Sequence, residues 1–598
     1  MRTSIATVSL SGSLTEKLTA ASRAGFDGVE IFENDLLASP LTPEEIRARC
    51  ADLGLTIDLY QPVRDIEALP EEEFTRALRR ARHKFELMRR LGADTVLVCS
   101  SVSPHALDDD ALAAEQLSRL AGLAEDHGVR VAYEALAWGR HISTYDHAWR
   151  VVESADHPSL GTCLDSFHIL SRGSDPKGIE DIPGEKIFFL QLADAPLLAM
   201  DVLQWSRHYR CFPGQGGFDV AGLVRHVLRA GYEGPLSLEV FNDVFRQSEA
   251  GPTAVDARRS LLTLQETVGL ATPPAPAAPT GIAFAELVTP DAAPVSAVLG
   301  ALGFSRTARH RGKPVDLWQR GDAHVLVNTG PAERRDGTRL AAVGLESPDP
   351  AGAARRAEAL LAPVLPRRRA PGDAALEAVA APDGTELFFC ATGRPGLPDW
   401  RADFEDVAHP FHDGEPWRVD HLSLTQPWHQ FDEAALFHRA VLGLRPQESV
   451  DVADPYGLLR SRAVSTDDGA VRIVLTVGPA PTDDTAHAQH IALATGDVVA
   501  AARRYREAGG PLLPIPANYY DDLAARFEFA DGELDTYREL GILYDRDAHG
   551  TFRHCYTHTV GRVFFELVQR DGGYRGYGAA NAPVRLAAQH AVRGFTGG

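Results

Sequence analysis

Eight short apolar or β-branched runs, each followed by a stretch of helical spacing, fill the first 270 residues. They are SIATVSL (4–10), GVEIF (28–32), LTIDLYQ (55–61), TVLVCS (95–100), RVAYEA (130–135), LGTCLD (160–165), IFFLQL (187–192) and LSLEVF (236–241). Runs that stay apolar along their length read as strands of a parallel sheet covered on both faces. Between them, segments such as 70–91 and 108–127 place apolar residues on one helical face. Eight strand–helix units in about 250 residues constrain this part of the chain to one architecture, a closed (β/α)₈ TIM barrel over residues 1–270.

The chain has 598 residues, too many for a single core. Residues 271–281, ATPPAPAAPTG, hold four prolines and no charge, which predicts a stiff extended linker. Beyond it the βα alternation stops. IAFAELVTP, a helix through VSAVLGALGF, then DLWQRG and AHVLVN form a unit. WRVDHLSLTQ, a helix through EAALFHRAVLGL, then VRIVLTV repeat it about 135 residues later. A repeat whose units each supply a curved half-sheet predicts an α+β vicinal oxygen chelate region of two βαβββ modules, at 282–405 and 410–598.

Asp and Glu total 82 against 60 Lys and Arg, a formal charge of −22. That balance repels nucleic acid and anionic membranes, so the expected partner is a small-molecule substrate; a homo-oligomer is left open. The basic runs at 79–82 and 367–369 are short and read as a solvated helix face or loop. Six scattered cysteines without a CxxC pair predict reduced thiols, and no long apolar window is present, so a cytoplasmic location is expected.

Reacting groups of a TIM barrel gather at the carboxyl ends of its strands. There Glu134, Asp165, Gln191 and Glu239 interrupt the fifth to eighth runs. Buried carboxylates without a counter-charge cost several kcal/mol, on the order expected for unpaired ions. Three carboxylates and one amide oxygen form a hard donor set for Mg²⁺ or Mn²⁺, with Co²⁺ as a further candidate. His168, three residues past Asp165, is the candidate general base. Arg64 and Arg210 are candidates for a substrate carboxylate, with Arg210 also placed among the catalytic groups. Ser206, Glu30 and Glu33 are candidates for substrate hydroxyls.

The segments GFDGVEIF, YEALAW, CLDSFH, FLQLADAP, RCFPGQGGFD and LSLEVF resemble the xylose-isomerase-like barrels, most closely their bacterial 3-dehydroshikimate dehydratase branch. The resemblance implies a metal-dependent lyase that forms protocatechuate and water in quinate and shikimate catabolism. Isomerases of the same barrel family usually carry histidine where this chain has Gln191, which leans away from the alternative of a sugar or inosose isomerase. A DNA-repair endonuclease on this barrel is disfavoured by the acidity and by the missing His-rich cluster.

In the second module, His421 (VDHLSL), His490 (QHIALAT) and Glu566 (VFFELVQR) lie on predicted strands and make the two-imidazole, one-carboxylate set of non-haem Fe(II) oxygenases. With NYYDDL, ILYDRDAHG and GGYRGYGAANA they resemble the catalytic half of 4-hydroxyphenylpyruvate dioxygenase, implying bound Fe²⁺ or Mg²⁺. Repeat alignment sets Glu286, Val343 and Cys390 against that triad, so the first module is expected to lack it. FRHCYTHT departs from the dioxygenase pattern, with His554 and Tyr556 replacing Gln and Phe. Turnover of an aromatic 2-keto acid by this half is the remaining alternative function.

Overall fold

The computed structural model describes residues 1–330, 337–366, 370, 372–408, 415–478 and 488–596. The chain divides into two compact units, Met1–Thr272 and Pro273–Gly598. The basic run at 367–369 and the expected module start at 410 lie outside the described residues.

In the first unit, β1 (Thr3–Ala6), β2 (Gly28–Phe32), β3 (Thr56–Arg64), β4 (Thr95–Cys99), β5 (Arg130–Glu134), β6 (Leu160–Asp165), β7 (Ile187–Leu192) and β8 (Leu236–Leu238) close into a parallel barrel. Closure is made by β1 against β8, with Ser4 opposite Ser237. Every residue of β4 and β6 is buried, as strands covered on both faces require. Two runs are longer than their strands. The first turns into a single 3-10 turn at Thr7–Ser9, and the eighth leaves the sheet after Leu238, so Glu239 lies one residue beyond the strand. Its N–H still reaches Leu192 O at 3.1 Å, which keeps it on the line of the ladder.

The surrounding helices follow from spacing and caps. Helix Glu71–Leu91 buries Phe74, Ala77, Ala81, Phe85, Met88 and Leu91, a stripe repeating every three or four residues. Glu71 to Glu73 stand at its positive end and Arg89 and Arg90 at its negative end, and Gly92 stops it at φ +83°, a left-handed conformation that costs glycine nothing. Arg79, Arg80 and Arg82 face solvent on this helix. Helices Leu14–Arg23 and Pro43–Asp52 each begin with a capping box, Ser13 with Glu16 and Thr42 with Glu45. Inside the barrel a smaller cluster, including Leu59, Leu97, Ala132 and Phe189, fills the space beneath the mouth.

The second unit holds two eight-stranded sheets. The first contains β9 (Gly281–Val288), β10 (Ser305–His310), β11 (Val315–Arg320), β12 (Ala323–Asn328), β13 (Arg339–Glu346), β14 (Glu377–Ala380), β15 (Glu386–Cys390) and β16 (Phe404–Asp406). The second contains β17 (Arg418–Thr425), β18 (Arg445–Asp454), β19 (Gly457–Ser465), β20 (Arg472–Val477), β21 (Gln489–Ala494), β22 (Leu543–Arg546), β23 (Gly550–Tyr556) and β24 (Val563–Gly572). Central order matches: β15-β13-β9-β12-β11-β10 in one, β24-β21-β17-β20-β19-β18 in the other. The internal repeat is therefore a repeat of topology. Among the described residues, no helix is long and apolar enough to cross a membrane.

Phe85 is fully buried between helix and sheet. Phe85→Ala is expected to destabilise the barrel by about 3–5 kcal/mol, read as a shift in the urea unfolding midpoint.

Candidate functional site

The barrel brings its polar strand ends together. Glu134 closes β5, Asp165 closes β6 and sits directly across from Gln191 on β7, and Glu239 follows β8; all four are buried. Ligand-capable atoms of Glu134, Asp165 and His168 lie within 4.8 Å of one another. Glu239 joins them through Arg210, whose Nη1 donates to Asp165 Oδ2 at 2.8 Å and to Glu239 Oε2 at 3.1 Å. Asp165 is held independently: as N-cap of helix Ser166–Ser171, its Oδ1 accepts from the N–H groups of Phe167 and His168.

Glu30 stands behind Gln191. Its Oε2 accepts from Gln191 Nε2 at 2.6 Å and from Gln61 Nε2 at 2.7 Å, and its Oε1 accepts from the Ser237 hydroxyl. The Gln191 amide gives Nε2 to Glu30, and its Oε1 accepts from Cys163 Sγ at 3.5 Å. Glu30, expected as a group for substrate hydroxyls, is thus enclosed by side chains and orients another. Glu33 is taken up by Tyr60 and Lys84.

The buried guanidinium of Arg210 pairs with Asp165 and Glu239 and feels Glu134, and Glu30 lies within electrostatic reach of Glu239. Burial, then Asp165 and Glu239, drive the Glu134 carboxyl well above its usual range. Burial, then Glu239, do the same to Glu30. Burial raises Glu239 to about 7 against the pull of Arg210. Glu134 Oε1 is buried without any hydrogen-bond partner. An orphaned oxygen amid excess negative charge, together with a hard oxygen donor set, fits a divalent cation held by Glu134, Asp165, Gln191 and Glu239.

His168 is enclosed by donors. Ala137 N–H points at Nδ1 at 3.1 Å, Arg210 Nη2 lies 3.3 Å from Nε2, and Asp165 Oδ2 is 3.7 Å from Nε2. Burial, with Arg210 and Arg64 adding to it and Asp165 opposing, lowers its pKa to about 3, so the ring is neutral. Arg210 itself stacks on Phe167 and Phe241, and Ser206 Oγ accepts from its Nη2 at 2.9 Å. Arg64, at the end of β3, is exposed and has no hydrogen-bond or ion-pair partner among the described residues. Its charge reaches both His168 and Glu239.

The C-terminal set is tighter. His421 Nε2, His490 Nε2 and Glu566 Oε2 are mutually 3.2 Å apart, an equilateral face. Adjacent ligands around an octahedral ion with bonds of about 2.1 Å are about 3.0 Å apart, so the triad fits one divalent cation. Two of the three donors, His421 and Glu566, are oriented from behind. His421 Nδ1 contacts Asp420 Oδ1 at 2.9 Å, and Asp420 is clamped by Arg570 at 2.8 Å and Arg472 at 3.5 Å. Asn581 Nδ2 donates to His554 Nε2 at 3.0 Å, which places the His554 proton on Nδ1, 2.7 Å from Glu566 Oε1. His421 foremost holds Glu566 well below the usual carboxylate range despite burial. In the first sheet, Glu286 Oε1 accepts from Asn328 and Cys390 is buried; neither joins a metal-capable group among the described residues. A different set there, His310, Asp373 and Asp403, lies within 4.8 Å, with Lys313 3.3 Å from Asp373.

Comparison with known proteins agrees along the chain. A family model described as xylose isomerase-like TIM barrel matches residues 18–266. The N-terminal hydroxyphenylpyruvate dioxygenase model matches 274–342, and the glyoxalase/bleomycin resistance protein/dioxygenase superfamily matches 418–535. A 3-dehydroshikimate dehydratase of Pseudomonas putida is 44% identical, with 99% of each chain covered. This chain belongs to the 3-dehydroshikimate dehydratase family. A dehydratase of the same description from Pseudomonas aeruginosa is 45% identical, again over 99% of each chain. A solved xylose isomerase-like TIM barrel/4-hydroxyphenylpyruvate dioxygenase fusion protein is 42% identical, with a TM-score of 0.90 over 99% of this chain and all of its own. As a member of the dehydratase family the chain is an enzyme of the hydro-lyase class.

Several groups that complete these sites carried no sequence signal for that role. Glu30 looks like an ordinary interruption of an apolar strand. Gln61, Ser237, Asp420 and Asn581 act through one neighbour each, and only tertiary contacts reveal it.

Glu239 predicts a pH dependence. Its folded value of about 7 exceeds the ordinary 4.5, so the folded state binds the proton more tightly. This contribution is fully present below pH 4.5 and is lost as the pH rises through about 7. The melting temperature of chelator-treated protein is expected to fall across that window, and Glu239→Gln to flatten the slope, in scanning calorimetry.

Proposed function

We propose that the barrel converts 3-dehydroshikimate to protocatechuate and water, using a divalent cation, Mg²⁺ or Mn²⁺ with Co²⁺ as a third candidate, held by Glu134, Asp165, Gln191 and Glu239. The observation that carries this reading is the orphaned Glu134 oxygen among buried carboxyl groups at the strand ends. Full-length likeness to two dehydratases supplies the substrate. In this reading the enzyme serves quinate and shikimate catabolism, in the cytoplasm, where its six free, buried cysteines stay reduced.

The reaction removes a proton from carbon beside a ketone, then expels a hydroxyl, and aromatisation drives the second step. When bound, the cation supplies positive charge for the anion that develops on the ketone. Arg64, unpaired at the mouth, receives the substrate carboxylate as a bidentate fork. His168 is neutral, as a general base must be; its Nδ1, which accepts from Ala137 N–H, is the nitrogen with a free electron pair for the proton, since Nε2 carries the ring's own hydrogen. Ser206 Oγ fixes Arg210 through Nε and Nη2. The C-terminal triad binds Fe²⁺ or Mg²⁺ without taking part in dehydration.

Two measurements test the reading. Protein supplied with Mg²⁺ or Mn²⁺ and 3-dehydroshikimate should generate the ultraviolet absorbance of protocatechuate, and chelation should stop it. Glu134→Ala or Glu239→Ala should abolish turnover, while His421→Ala retains most of it; equal loss from both kinds of variant would refute this division of labour. Separately, Glu30→Gln frees the Gln191 amide to rotate and should weaken barrel metal binding by about 10–100-fold in titration calorimetry, with the fold intact by circular dichroism.

A further inference from the structure

The turn that follows β3 is held in a conformation its residues do not favour. Among the described residues, four that are not glycine have positive φ, and two of them, Asp65 at 54° and Ala68 at 56°, lie in this turn. Backbone of this kind persists only where its surroundings fix it. Ile66, Glu67, Ala68 and Leu69 are all buried, and the turn is fastened to the loop after β4 and to helix Asp110–Glu125. Asp65 Oδ1 accepts from Val102 N–H at 3.0 Å and from the Ser101 hydroxyl at 3.3 Å. Leu107 N–H donates to Ala68 O at 2.7 Å, and the buried Gln116 amide meets both backbone groups of Leu69.

Glu67 is the central tether. Only 2% exposed, it directs one oxygen at two donors: Oε1 accepts from Ser101 N–H and from the Tyr133 hydroxyl at 2.9 Å. Its Oε2 is buried without a hydrogen-bond partner. Burial raises the carboxyl above its ordinary range, so the turn needs an acceptor from this side chain and not a charge. Immediately before the turn stands Arg64, exposed at the end of β3 and in register with Cys99, whose thiol donates to Glu134 Oε2 at 3.4 Å. With no partner of its own among the described residues, Arg64 takes its direction from the backbone that carries it.

We propose that Glu67 is a positioning residue for substrate binding: by pinning the strained 65–69 turn to Ser101 and Tyr133, it fixes the backbone from which Arg64 reaches the substrate carboxylate. The inference rests on the reading of Arg64 as the carboxylate fork, and it gives Glu67 no contact with substrate or metal.

Steady-state kinetics of the full-length, Mn²⁺-loaded enzyme test it. Glu67→Ala should raise the KM for 3-dehydroshikimate by about tenfold or more with kcat within about threefold, and Glu67→Gln, which keeps the acceptor, should recover most of the loss. Asp65→Gly releases the neighbouring tether yet suits a left-handed backbone, and it should move KM the same way even if Glu67→Ala proves too unstable to assay. The double variant Arg64→Gln/Glu67→Ala should be no weaker than Arg64→Gln alone, because Glu67 acts only through Arg64. Mn²⁺ affinity, read by titration calorimetry, should stay at its wild-type strength in all of them. A wild-type KM in Arg64→Gln would sink the carboxylate assignment and this inference with it. If Arg64→Gln raises KM, then wild-type KM in the tether variants, additive losses in the double variant or a matching fall in Mn²⁺ affinity would overturn the inference alone.

Discussion

Too many buried carboxyl groups around too few cations is the constraint on which the barrel depends. Glu30, Glu134, Asp165 and Glu239 meet where the parallel strands end, with one enclosed guanidinium among them. Burial alone raises such groups toward neutrality, and each raises its neighbours further. An arrangement of this kind is costly to fold, and it is one that a divalent cation would relieve.

The two metal-capable sites solve the orientation problem differently. In the barrel, donors come from successive strands and are aimed by other ligands' partners: Glu30 turns Gln191, and the N-terminus of helix Ser166–Ser171 fixes Asp165. In the C-terminal sheet, two of the three donors have their own backing: Asp420 behind His421, and His554 with Asn581 behind Glu566. The first is electrostatically loaded, with three raised carboxyl groups; the second holds Glu566 ionised against His421. His554 replaces the residue expected from the dioxygenase pattern, and it keeps the triad in order instead of removing it.

Much of this was legible beforehand because the relevant signals are local. A polar residue that ends an otherwise apolar run marks a strand's carboxyl end, and Glu134, Asp165 and Gln191 were found that way. The eighth strand stopping at Leu238 was not, since LSLEVF stays apolar beyond the point where the ladder ends. Arg210 was found as a charge near the site, but its commitment to Asp165, Glu239 and Ser206 depends on segments far apart in the chain.

Sequence by itself determined the eight βα units, the topological repeat after the proline-rich segment and which polar residues interrupt the apolar runs, because periodicity and residue chemistry are properties of neighbours along the chain. Tertiary structure alone decided that Glu134 keeps an unpartnered oxygen, which nitrogen of His554 carries its proton, and that Arg210 is committed to Asp165 and Glu239. Those are settled by donors brought from distant segments, and hydrogen-bond direction cannot be read until both partners share one place.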